Sequence, residues 1–131
     1  MSTALTATIK STRVLDVAYY GVNANGTLYV EAYKGATPGC PDMNTPAPSY
    51  TLILGSFPAM TAASATSTAN LFDYIGDLHD SFPQPLAATS VILTNVVYVA
   101  NSHVALDASL TFPGGTLTGY LYATHCTSLD G

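Results

Sequence analysis

Residues 103–124 read HVALDASLTFPGGTLTGYLYAT. Val104, Leu106, Ala108, Leu110 and Phe112 alternate with His103, Ala105, Asp107, Ser109 and Thr111. Period two is the mark of a strand with one face buried. Pro113-Gly114-Gly115 then supplies a turn. Beyond it, Leu117, Gly119, Leu121 and Ala123 alternate with Thr118, Tyr120 and Tyr122. Two such strands around one turn predict a β-hairpin, and the same pattern continues upstream.

Residues 90–100 are apolar at positions of both parities, which predicts a central strand covered on both sides. Residues 5–10, 14–22, 27–33 and 50–57 read as further strands. Asn23-Ala24-Asn25-Gly26 lies between the second and third of these. Asn-Gly predicts a type I′ hairpin, because both central residues of that turn need positive φ. Residues 35–49 hold Pro38, Pro41, Pro46 and Pro48, which exclude regular structure there. Residues 58–70 are small and polar, and 71–82 are interrupted by Gly76. One short helix within 58–82 is left open, since Ala favours it and Thr opposes it. There is no βαβ rhythm, heptad or repeat. The expected fold is a single all-β domain over residues 1–131, an antiparallel β-sandwich or Greek-key barrel of about seven to eight strands.

Composition narrows the function classes. Charged residues are 8% of the chain, and its formal net charge is −5. The only basic side chains besides histidine are Lys10, Arg13 and Lys34. Nucleic-acid binding needs several Lys or Arg on one face, so it is not expected. A polybasic membrane-surface site is not expected for the same reason. No run of eighteen apolar residues is present, so no transmembrane helix is expected. The polar surface must come from Ser, Thr and Asn, which hold water with little charge to screen or to oppose association.

Cys40 sits in Gly39-Cys40-Pro41-Asp42, and Cys126 follows the last strand. Neither belongs to a C-x-x-C or to a zinc-type spacing. They are read as one disulfide that staples the proline loop to the C-terminal strand. Closing that loop is worth roughly 4–5 kcal/mol in the chain-entropy account. The low charge and the staple together point to an exported chain, extracellular, on a cell surface or periplasmic. Residues 1–4 do not form a signal peptide, so any leader is expected to have been removed.

Candidate sites are few. Asp73, Asp77, His79 and Asp80 form the one dense set of ligand-type side chains, and calcium is the cofactor they could take. Their spacing is not that of an EF-hand loop, and solvated surface acids explain them as well. His103 and Asp107 would lie about 13 Å apart along a strand, too far to bond. His125 could pair with Cys126 only if that thiol were free. No nucleophile elbow or blue-copper spacing occurs. Asn25-Gly26-Thr27 matches a glycosylation sequon, although the turn alone accounts for Asn-Gly.

Nine tyrosines and no tryptophan are more informative. Tyr29 and Tyr33 flank Glu31 on one strand face, and Tyr120 and Tyr122 pair on another. Tyrosine suits contact surfaces, with an apolar ring and a polar tip. It is also simply a good strand residue. The expected function is therefore a non-enzymatic structural or interaction domain that works by surface contact, with a protein partner or by self-association. The alternative is a small-ligand or carbohydrate-binding module on the tyrosine surface, assisted by calcium. An enzyme is the least favoured class.

Overall fold

The computed structural model describes residues 2–35, 39–41, 48–81 and 83–131. These residues include eleven strands: β1 (Ala4–Thr8), β2 (Thr12–Leu15), β3 (Val17–Val22), β4 (Thr27–Lys34), β5 (Tyr50–Pro58), β6 (Ala62–Ala65), β7 (Ala69–Asp73), β8 (Leu86–Ala87), β9 (Ser90–Val99), β10 (His103–Phe112) and β11 (Gly115–His125). A single 3₁₀ turn, Thr127–Leu129, follows. The all-β class stands as read, with more strands than expected.

The strands form one curled sheet that is best described as two arms. The first arm runs β2-β1-β11-β10-β9-β6, and the second runs β3-β4-β5-β7-β8. β11 joins them by changing partners along its length. Thr116 to Tyr120 pair antiparallel with β1, while Thr124 and His125 pair parallel with β3. That parallel contact makes the sheet mixed, where a purely antiparallel one was expected. On the far side residues 88 and 89 bridge the arms. The Ala88 N–H donates to Ala69 O in the second, and the Thr89 N–H to Thr111 O in the first. The core lies between the arms and is built from the inward half of each alternating strand. Leu5, Tyr20, Leu28, Leu52, Leu54, Leu71, Leu93, Leu106, Leu110, Leu117 and Leu121 are all at most 1% exposed.

Two glycines let the C-terminal hairpin take this position. Gly114 closes the turn with φ +87°, and Gly119 sits opposite Leu5 with φ +143°. A Cβ at 119 would lie 2.1 Å from the carbonyl oxygen of Ala4, so only glycine lets β1 come this close.

Three local expectations are corrected. The segment 58–82 contains no helix among its described residues. It forms β6, β7 and a turn-rich loop, because β6 gains ladder partners on β9 that outweigh alanine's helical preference. β9 is covered on one side only. Ile92, Val97 and Val99 are 50%, 45% and 43% exposed on its outer face. A run of apolar residues specifies a good strand but cannot say that a second layer will cover it. Finally, the Asn25-Gly26 turn is not type I′. Only Gly26 has positive φ (+80°), and its N–H donates to Asn23 O at 2.9 Å. That is the longer loop in which a turn ends on a left-handed glycine.

Candidate functional site

The acidic loop after β7 is organised by Asp73. Its carboxylate is buried and accepts the N–H groups of Ile75, Gly76, Leu78 and His79 at 2.9, 2.7, 2.6 and 3.3 Å. Burial pushes its pKa up, but the four donors outweigh burial and hold it below the ordinary aspartate value. His79 is buried beside it. Its Nδ1 accepts the Ser81 N–H at 3.2 Å, which leaves Nε2–H to donate to Leu71 O at 2.9 Å. Asp77 accepts from the Tyr50 hydroxyl and from Arg13 Nη2 (2.7 Å), and these donors lower its pKa in that order. Arg13 Nε also donates to the Tyr50 hydroxyl at 3.0 Å. Asp80 pairs with Lys10 at 2.7 Å on the surface.

Of the predicted metal-binding residues, Asp73 and His79 meet only through the His79 backbone N–H, Asp77 and Asp80 have partners elsewhere, and the loop is pinned to the β1–β2 hairpin. Among the described residues, no group of three or more His, Cys, Asp or Glu is gathered as a metal would require.

The tyrosines divide between the arms. Tyr29, Glu31 and Tyr33 share the outer face of β4, as the alternation predicts. Both hydroxyls donate to the Glu31 carboxylate. Burial first, and then this carboxylate, push both hydroxyls above the ordinary tyrosine pKa. Tyr33 is only 5% exposed. Tyr120 and Tyr122 lie on the outer face of the first arm. The Tyr122 ring stacks on His103 with centroids 4.7 Å apart. Thr3 extends the ladder beside it, with Oγ1 donating to Tyr122 O and accepting from Tyr122 N, both at 2.9 Å.

Cys40 and Cys126 are joined, with Cα atoms 5.5 Å apart. That removes Cys126 as a partner for His125, whose Nε2 lies 3.0 Å from Asp130 Oδ1. His103 Nδ1 lies 3.0 Å from Ser102 Oγ in the open β9–β10 turn. Asp107 does not reach it, and instead accepts from Asn95 Nδ2 at 2.9 Å. The joined cysteines are consistent with an oxidising compartment.

The register exposes a feature that the sequence pattern alone did not reveal. Thr12, Thr8, Thr116, Thr111 and Ser90 are consecutive cross-strand partners on β2, β1, β11, β10 and β9. All five are exposed, so one row of hydroxyls crosses the first arm. Neighbours in such a row stand about 4.8 Å apart. The next row, two residues along each strand, is Val14, Thr6, Thr118, Ser109 and Ile92. Neither row holds an ionisable side chain. Asp107, one row further and already bonded to Asn95, is the nearest charge on this face of β10. Each strand announces its outward Thr and Ser separately, but only the pairing aligns them.

Comparison with known proteins brings no relative to this site: no family model matches the chain, and no curated protein or solved structure matches it significantly. The geometry therefore defines a class and no more, a disulfide-linked all-β fold with a broad uncharged outer face.

Proposed function

We propose that the protein is a non-enzymatic contact domain of an extracellular or periplasmic setting, and that the outer face of its first arm is the contact surface. The observation that carries this is the pair of adjacent rows without charge, the second ending on exposed Ile92, with exposed Val97 and Val99 further along β9. Methyl groups gain by burial, hydroxyls can exchange water for hydrogen bonds across the contact, and within these two rows no ion must be stripped of water. Strand spacing and rise give these two rows roughly 300 Å² and the whole outer face of the arm, Asp107 included, roughly 600–800 Å². A standard interface takes about 800 Å² from each partner. The partner proposed is a further copy of the chain, added face to face as concentration rises.

Light scattering over a concentration series tests this. Mass should grow with concentration in the natural protein and stop growing in the double variant Ile92→Lys, Thr118→Lys. With so little charge to screen, growth should be the same at low salt and at about 0.5 M. Equal masses for both proteins at every concentration would remove the reading.

A carbohydrate partner is the second reading. It is favoured by Tyr120 and Tyr122 on the same face, with the Tyr122 ring stacked on His103. A glycan panel whose signal disappears in Tyr122→Ala would support it. Calcium is not part of either proposal. Adding it is expected to leave the melting temperature unchanged, and a rise would return a metal to the 73–80 loop.

A further inference from the structure

Every sheet that is not closed must protect its edges, because an open edge offers unpaired N–H and C=O groups to any passing strand. Two edges of the sheet are guarded visibly, while β3, held between β4 and β11, has that contact extended by the C-terminal tail, where the Cys126 N–H donates to Tyr20 O and the Gly131 N–H to Val22 O. β8 is two residues long and directly follows Pro85. β2 carries Arg13, and Lys10 stands just before it.

β6 has none of these devices. Among the described residues it pairs with β9 on one side and with no strand on the other. Residues 59–72 read AMTAASATSTANLF, without a charge or a proline. Ala63 and Ser64 are exposed, and Met60 beside them is 56% exposed. β6 also covers only part of β9, from Leu93 to Val96.

We propose that β6 is a strand-addition edge, and that its occupant is β6 of a second copy, paired antiparallel about a two-fold axis at Ala63 and Ser64. The choice of occupant follows from symmetry. A two-fold pair brings each residue near the axis up against its own copy or its neighbour's, so any charge there would meet a like charge. A stretch of small uncharged residues satisfies that condition, whereas a foreign strand would place no such demand on it. The pairing joins two first arms edge to edge and doubles the uncharged outer face. The inference thus rests on the contact reading and deepens it: the edge makes the dimer, and the face carries growth beyond the dimer.

The test uses the intact protein and three chains: natural, the edge variant Ala63→Lys, Ser64→Lys, and the face variant Ile92→Lys, Thr118→Lys. Light scattering at low concentration should give twice the chain mass for the natural protein and the face variant. The edge variant should give the chain mass, with its circular dichroism and melting temperature unchanged. A natural protein that is monomeric throughout, or an edge variant that keeps the dimer, overturns the inference. In the second case growth that is still lost in the face variant leaves the contact reading standing. Should the edge variant fail to fold, hydrogen exchange on the natural protein decides the matter. Amides of residues 62–65 should gain protection with concentration, and a dimer without that protection overturns the inference. An edge that captures added unrelated strands while the natural protein stays monomeric overturns it equally.

Discussion

Asp73 shows how one buried side chain can set the shape of a loop. Four backbone donors converge on its carboxylate, so the turn that follows β7 is folded around a charge. Asp73→Ala should leave those donors without an acceptor and cost roughly 3–4 kcal/mol in urea unfolding at neutral pH. The pH dependence follows from the direction of its shift. A carboxylate whose folded pKa is depressed stabilises the fold above its unfolded pKa, about 3.9. That contribution is lost as pH falls through the lower, folded value. Acid should therefore unfold the natural protein more readily than Asp73→Asn, measured relative to each protein's own stability at neutral pH. Tyr29 and Tyr33 act in the opposite sense. Their folded pKa values are raised, so their contribution is full below the ordinary tyrosine value of about 10 and is lost as pH rises above it. An ultraviolet titration should find these two hydroxyls still protonated when exposed tyrosines have ionised. Glu31→Ala should bring their ionisation back toward the ordinary range. The grouping of Tyr29, Glu31 and Tyr33 was legible in the sequence because period two places them together. The role of Asp73 was not, because a spacing of acids cannot show that the backbone itself will be their partner.

Among the elements, the C-terminal hairpin was the most legible. Its alternation and its Pro-Gly-Gly turn agree with the structure from Val104 to Ala123, except that Ala105 on the outward side is buried as well. The reason for Gly119 was hidden, since it depends on β1, more than a hundred residues earlier in the chain. Gly119→Ala should cost about 2–4 kcal/mol, from the strained φ and the displaced strand together, and equilibrium unfolding would measure it. β6 was illegible for a different reason. Ala-Ala-Ser-Ala has little intrinsic preference for a strand, and only the ladder on β9 makes it one. The exposed outer side of β9 was missed because apolar side chains look alike whether a layer covers them or not. The staple is the one long-range contact that the sequence did indicate. Replacing both cysteines with serine should lower the unfolding free energy by roughly 4 kcal/mol. Reductant should produce the same loss in the natural protein and none in the variant.

At the scale of the molecule, the two arms curl around one leucine-rich core and leave a wide surface almost free of ions. The all-β class could be read from alternation alone, but the alignment of the hydroxyl rows could not, because register between distant strands is not written in any single segment. We propose that this surface and the open β6 edge serve contact between copies. The most direct measurement is the molar mass in solution, by light scattering behind a size-exclusion column, from low to high protein concentration. A dimer at low concentration and larger species as concentration rises are expected. A constant mass of 13.6 kDa across the whole range would contradict it.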